Sequence, residues 1–339
     1  MNAQLEEDIL EYSQTFPFAD KLRDASFMIT GATGLIGSIL VRCLLALDRN
    51  ISITIPVRNF EKAVTLYGKD AAKFKIIPCN LCDYIESLED HFDFIIHCAS
   101  PTSGKYVNEH PVETFELAIE STRALLKYAK SNDVKSFVYV SSLEYYGQNN
   151  DNRFITEEMQ GYIDPVSPRS SYPIGKRAAE YLCFAYASEY AVPVKIARLT
   201  QTFGAGVSSD DNRVFAQFAR CVLTGKDIVM HSTGESAKPY CYTTDFVSAI
   251  LYILLKGENG ESYNVANQST YISIAEMAEF LKTRFNSTID VRIEQHPEMG
   301  YAPITKLRLS TEKLNGLGWT PKIGLEEMYK RLLASFKYA

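Results

Sequence analysis

One run constrains this chain more than any other. MITGATGLIGS, residues 28–38, sets Gly31, Gly34 and Gly37 three apart between an apolar strand and an apolar helix. The first glycine permits a turn closed to side chains, another lets the backbone approach a pyrophosphate, and the last lets the helix pack tightly on its strand. The helix N-terminus then favours phosphate charge. The pattern predicts a dinucleotide turn with Thr33, Leu35 and Ile36 as further cofactor-binding candidates, and the missing Gly-Lys-Ser/Thr ending disfavours a P-loop. Phe27 to Leu47 is apolar enough to imitate a membrane span, but Arg42 and the three glycines interrupt it, so a buried strand, turn and helix is expected.

Downstream, short apolar runs alternate with longer helical patterns. SFMIT, ISITIPV, KFKIIP, DFIIHCAS, KSFVYVSS and PVKIARL have the length of strands and are apolar on both faces, as parallel sheets require. LIGSILVRCLLALD, PVETFELAIESTRALLKYAK and IGKRAAEYLCFAYASEY carry helical periodicity. This alternation predicts an α/β fold, a Rossmann-like doubly wound parallel sheet, followed by a smaller mixed α/β C-terminal substrate lobe. LEEDILEYSQTFPFADKL reads as a helix on the outside. The expected organisation is an N-terminal helical extension over 1–25, a dinucleotide-binding domain over 26–202 that also receives about 241–267, and a lobe from 203–240 and 268–339.

Composition narrows the partners. A formal charge of -6 without a basic run argues against nucleic acid, since neutralising phosphates needs clustered Lys and Arg. The acidic start lacks an apolar core and a cleavage site for export, and seven scattered Cys suit reduced thiols, so a cytoplasmic protein with no membrane association is expected. Cys79 and Cys82 form a CxxC, but no second pair or nearby His completes a zinc site, so no metal is expected.

The second strand ends in IPVRN, where Arg58 stands in place of the acidic residue that commonly grips the adenosine ribose; NAD and NADP both remain open as cofactor. Asn80 and Leu81 are placed to surround the adenine, with Asp83 beside them or capping the next helix. YVSSLEYYG brings Ser142 to the C-terminal edge of the sheet, where ligands of such folds bind. In SSYPIGK, Ser170 or Ser171 is expected to cap a helix, with Pro173 tolerated in its first turn and Tyr172 and Lys176 on one face. A nearby ammonium would lower the phenol pKa and make Tyr172 a usable base.

TGATGLIG, HCASP, SSLEYYG, YPIGK, YCYTTD and LGWTPKIGLEE together resemble the extended short-chain dehydrogenase/reductase family of nucleotide-sugar epimerases, dehydratases and decarboxylases, from about Ser26 onward. The resemblance implies that Ser142, Tyr172 and Lys176 form a catalytic triad, that Tyr172 removes a sugar hydroxyl proton while C4 hydride passes to nicotinamide, and that Ala99 and Ser100 contact the cofactor. Glu144, two after the triad serine, resembles dehydratases and UDP-glucuronate decarboxylases and would act at the sugar C5. HCASPTSGKYVNEHPVET is similar to the decarboxylase segment that carries a substrate-contacting tyrosine, here Tyr106, and PRSSYPIGKRAAE shares that group's Arg before the tyrosine. Gln201, Arg213 and Lys238 are implied substrate contacts, the two cations at the diphosphate, with Lys306 and Arg308 ranked below them.

Departures are equally specific. Leu143 stands where dTDP-hexose dehydratases carry Asp, Gln201 replaces the usual Asn, Lys238 the usual Arg, Ala118 an Asn, and Pro173-Ile174 the acidic pair of the decarboxylase tyrosine motif. A divergent nucleotide-sugar enzyme, decarboxylating or dehydrating after C4 oxidation, is the expected reading; 4-epimerisation is the alternative, and a noncatalytic nucleotide-binding protein the rival of another class. The triad helix is apolar on two sides, Ala179, Cys183 and Tyr186 on the face toward the sheet and Ile174, Ala178, Tyr181 and Ala185 on the other, which predicts a homodimer built through helices 112–130 and 173–190.

Overall fold

The computed structural model describes residues 2–149, 153–294 and 304–337. Met1, 150–152, 295–303 and 338–339, which fall within the expected extension, dinucleotide domain and lobe, lie outside them. The strands are β1 (Ser26–Thr30), β2 (Ser52–Val57), β3 (Lys75–Pro78), β4 (Phe94–His97), β5 (Ser136–Ser142), β6 (Phe154–Ile155) and β7 (Val194–Leu199). There follow β8 (Gln201–Phe203), β9 (Ile228–Met230), β10 (Ala237–Tyr242), β11 (Ser262–Val265), β12 (Asn267–Ser273), β13 (Val291–Ile293) and β14 (Arg308–Leu309). The helices are α1 (Ala3–Thr15), α2 (Leu35–Ala46), α3 (Phe60–Tyr67), α4 (Leu81–Glu86), α5 (Gly104–Glu109) and α6 (Pro111–Ser131). The remainder are α7 (Ser171–Tyr190), α8 (Val214–Thr224), α9 (Thr243–Lys256), α10 (Ile274–Phe285), α11 (Glu312–Gly316) and α12 (Leu325–Lys337).

Seven strands pair in the order β11-β7-β5-β4-β1-β2-β3, every pair parallel. Successive strand residues serve opposite faces. Phe27 and Ile29 join the core under α2 and α9, whereas Met28 joins the core under α6 and α7. Each such fully buried Phe, Ile or Leu contributes about 1.5–3 kcal/mol of transfer free energy, which is why these runs read as unbroken apolar strands. Chain order reverses between β1 and β4, opening a crevice beyond their C-terminal ends.

Arg42 shows how a charge enters an apolar helix. Its Nη2 donates to Leu66 O at 2.6 Å, its guanidinium lies 5.1 Å from the Tyr67 ring centre, and Asp70 is 3.6 Å away. Among the described residues no helix is long and apolar enough to cross a membrane.

The N-terminal pattern expected as one helix stops at Thr15, because Phe16 precedes Pro17 and takes an extended conformation, ψ 116°. Its end is followed by a short 3-10 turn over Ala19–Leu22. α1 buries Leu5, Ile9 and Tyr12, and its buried Asp8 accepts from the Tyr242 hydroxyl and pairs with Arg331 of α12 at 2.9 Å. After β8 the chain forms α8 and β9, returns through β10, α9 and β11, and then leaves again; β11 pairs with β7. A second core gathers Phe203, Phe215, Tyr240, Met277 and Tyr329. The β8-β10-β12 sheet and the β9-β13 pair pack around it, while the β6-β14 pair buries Ile155 and Leu309 in a separate cluster with Leu143, Tyr146, Ala266 and Leu307.

Candidate active site

The glycine turn leaves no room for side chains on its inner side. A Cβ on Gly31 (φ 68°) would stand 2.6 Å from Ala99 N, and one on Gly37 would stand 2.4 Å from Gly31 O. At Gly34 it would meet only Gly31 O at 3.3 Å, and Gly34 opens α2 with no side-chain cap. The first N–H groups of a helix have no partner within it. Here they face a cavity of about 760 Å³, and the bare backbone cradle fits a dinucleotide diphosphate.

Apart from Asp83, Lys306 and Arg308, the site candidates drawn from the sequence line that cavity. Gly31, Thr33, Gly34, Leu35, Ile36 and Gly37 form its floor, with Arg58 past β2, Asn80 and Leu81 past β3, and Ala99 and Ser100 past β4. Asn80, not Asp83, caps α4, its side chain accepting from Cys82 N at 3.0 Å; Asp83 lies off the lining. Cys79 and Cys82, the CxxC pair, also reach the cavity as free, half-buried thiols. Lys306 and Arg308 do not line it; Arg308 lies 5.0 Å from the Phe154 ring centre.

Ser142, Glu144, Tyr172 and Lys176 converge where β5 meets the start of α7. The Ser142 hydroxyl accepts from Glu144 N at 3.2 Å, closing the 3-10 turn Leu143–Tyr146, and its influence on the Tyr172 phenol favours the charged form. Neither serine caps α7: Ser170 occupies the cap position without a side-chain bond, and Ser171 Oγ is buried with no partner among the described residues. Lys176 Nζ donates to Val140 O at 2.8 Å and lies 5.7 Å from the Tyr172 ring centre.

The electrostatics correct the expectation that Lys176 makes Tyr172 acidic. Burial, then the Glu144 charge, push the phenol above its ordinary value, while the Ser142 hydrogen bond and the Arg169 charge oppose them. Lys176 is itself lowered to about 8 by burial, against the raising influence of Glu180 first among others. The protein alone therefore holds Tyr172 as a neutral phenol at neutral pH. Placing two groups one helical turn apart says nothing of how far each is removed from water, and desolvation outweighs their proximity here.

Arg169 is the residue whose role the sequence reading left out. Its Nη2 donates to both Glu144 carboxylate oxygens at 2.7 Å, and its guanidinium stands 5.7 Å from the Tyr172 ring centre. Lys238 of β10 completes this charged wall, its ammonium lowered by burial against the raising charge of Glu144. A guanidinium three residues before the triad tyrosine was the available signal. Elsewhere along the lining Gln201 begins β8, Tyr106 sits in α5 with its ring 4.5 Å from His110, and Arg213 precedes α8. Arg213 is held by Asp211, Nη2 to Oδ2 2.6 Å, so its charge is already partly matched.

A family profile described as "NAD dependent epimerase/dehydratase family" matches residues 27–266. The chain is 28% identical to UDP-glucuronic acid decarboxylase 5 of Arabidopsis thaliana, over 92% of this chain and 91% of that protein. It is 26% identical to UDP-glucuronic acid decarboxylase 1 of Xenopus tropicalis, over 96% and 76% respectively. Its fold is similar to UDP-glucose 4-epimerase of Thermotoga maritima, solved with UDP-glucose (TM-score 0.79, 22% identity, 92% of this chain and 98% of that one). It is also similar to UDP-glucuronic acid 4-epimerase of Bacillus cereus, solved with UDP-glucuronic acid and NAD (TM-score 0.76, 20% identity, 92% and 99%).

Proposed function

Because the chain belongs to the NAD dependent epimerase/dehydratase family, we propose that it oxidises a nucleotide sugar at C4 and then decarboxylates it, the substrate being a nucleoside-diphosphate uronate. The observation that carries this reading is the carboxylate of Glu144, held by Arg169 on the same cavity wall as Ser142, Tyr172 and Lys176. The names of the relatives above support the same outcome.

Gly31, Gly34 and the first turn of α2 would hold the dinucleotide diphosphate. The bound dinucleotide supplies the acceptor, and afterwards the donor, of the C4 hydride. Tyr172 Oη takes the C4 hydroxyl proton, Ser142 orients that hydroxyl, and Lys176 keeps a positive charge behind the phenol. In the resulting 4-ketone a C6 carboxylate is part of a β-keto acid: the C5–C6 bond breaks, carbon dioxide leaves, and its electron pair stays on C5 as an enolate. Arg169 and Lys238 balance negative charge there, and a proton from solvent restores C5. Glu144 positions Arg169 and holds the local water or proton for that step. Arg213, Gln201 and Tyr106 would contact the diphosphate and sugar.

We assign the working unit as a homodimer. Tyr181 and Phe184 of α7 are 69% and 54% exposed, and Val112 and Phe115 of α6 are exposed as well, while the opposite face of α7 buries Ala179 and Cys183. A helix apolar on two sides fits a second copy across α6 and α7.

Incubation with UDP, dTDP, GDP and CDP sugars and mass measurement of the products tests the reaction. A uronate should lose about 44 mass units, and Tyr172→Phe should reduce turnover at least about a hundredfold while still binding dinucleotide. Loss of about 18 units would mean dehydration, and unchanged mass with an inverted centre would mean 4-epimerisation, the outcome favoured if Glu144 serves only to position Arg169.

A further inference from the structure

We propose that Asp8 of α1 is a positioning residue for the substrate side of the cavity: through the Tyr242 hydroxyl it fixes the loop between β8 and α8 whose end carries Arg213. The inference rests on the reading of Gln201 and Arg213 as substrate contacts and concerns what holds them in place.

Asp8 is 1% exposed, and each of its oxygens has a partner. Oδ1 accepts from Arg331 Nη1 at 2.9 Å and from Gln4 Nε2 at 3.1 Å, and Oδ2 accepts from the Tyr242 hydroxyl. That hydroxyl accepts in turn from Ala205 N at 3.2 Å. A phenol has one proton; giving it to Asp8 leaves the oxygen lone pairs for the amide, so the direction of the relay is fixed. Arg331 is itself held by Glu11 at 2.9 Å and Glu327 at 2.8 Å, which clamps α1 to α12. A buried ion pair is a weak source of stability, because desolvation offsets the attraction. What the carboxylate adds here is an oriented, charge-assisted bond to the phenol. Asp8 and Arg331 both lie outside residues 27–266 matched by the family profile, and Tyr242 lies within them.

The loop leaves little slack around this bond. A Cβ on Gly204 would stand 2.4 Å from Tyr242 Cε2, and one on Gly206 (φ 96°) would stand 3.1 Å from Ile39 Cδ1 of α2 and 3.5 Å from Leu5 Cδ2 of α1. Val207 N closes a turn on Gly204 O at 3.2 Å. The segment 204–207 therefore lies between the Tyr242 ring and the α1–α2 pair. On either side of it the chain reaches the cavity, at Gln201 and Thr202 before it and at Arg213 after it. Phe203, next to Gly204, stacks on Phe215 with ring centres 4.7 Å apart, and the Arg213 guanidinium lies 4.8 Å from the Phe215 ring centre. A shift of the loop at Ala205 is thus passed through two rings to the Arg213 charge.

Hydrogen–deuterium exchange and steady-state kinetics of the full chain test this. Asp8→Asn should raise amide exchange across 203–213 at least about threefold, while exchange across the glycine turn, 28–38, stays within about twofold. With the nucleotide sugar that turns over in the mass assay, KM should rise about tenfold and kcat stay within about threefold, since a loosened contact is lost to ground state and transition state alike. Tyr242→Phe keeps the ring and breaks the relay; it should reproduce both changes, and the double variant should be no worse than either single one. Where Asp8→Asn fails to fold, Tyr242→Phe carries the same test. A residue that served packing alone would lower the urea midpoint and leave loop exchange and KM unmoved; that result, or effects that simply add in the double variant, would overturn the proposal. Raised loop exchange with an unmoved KM would overturn it together with the assignment of Gln201 and Arg213 to the substrate. The exchange measurement needs no substrate, so it decides the anchor even if no sugar of the panel turns over.

Discussion

Tyr172 is a phenol pulled in two directions, and its neighbours set the balance. Glu144 raises its pKa and Arg169 lowers it. Replacing Arg169 by Gln removes the lowering charge, so the ascending limb of the pH profile for C4 oxidation should move to higher pH, by about one unit. Glu144→Gln should move it the opposite way, since a raising charge is lost, while the carbon dioxide yield falls at least about tenfold. Absorbance of the reduced nicotinamide in single turnover reports the first quantity and product mass the second; two limbs that coincide with wild type would remove this pair from the proton balance. Ser142, Tyr172 and Lys176 were legible in the sequence because a strand end and one helical turn determine where they go. The link between Arg169 and Glu144 was not, because it joins two turns 25 residues apart whose approach depends on the fold. Nor was the raised phenol, which depends on burial.

At the scale of elements, the seven parallel strands were readable because each is buried on both faces and so stays apolar throughout. The small sheets were not. β6 and β14 are two residues each, and β9 and β13 three, too short for any periodicity, and their partners come from distant parts of the chain. The glycine turn is the element most open to a decisive substitution. A methyl group at Gly37 would meet Gly31 O at 2.4 Å and Ala32 Cα at 2.8 Å, both backbone atoms that cannot turn aside. Gly37→Ala should therefore force α2 away from β1, lower stability by about 1–3 kcal/mol and weaken dinucleotide binding at least about tenfold, as read by urea unfolding and titration. Retention of wild-type affinity would show that the turn does not carry the diphosphate.

For the whole molecule, α6 and α7 present the surface on which a second copy is expected. Sedimentation at micromolar concentration should give the mass of a dimer, and replacing Tyr181 and Phe184 together by Glu should give a monomer with an unchanged circular dichroism spectrum. A wild-type monomer would refute the assembly. The path of the chain has its own consequence. The polypeptide departs from the main sheet at β8, re-enters through α9 and β11, and departs once more, while Asp8 of α1 ties Tyr242 to Arg331 near the far terminus. No single cut yields two self-sufficient fragments, and a graft that exchanged the sugar-facing part for that of a relative would need two splice points and a matching first helix.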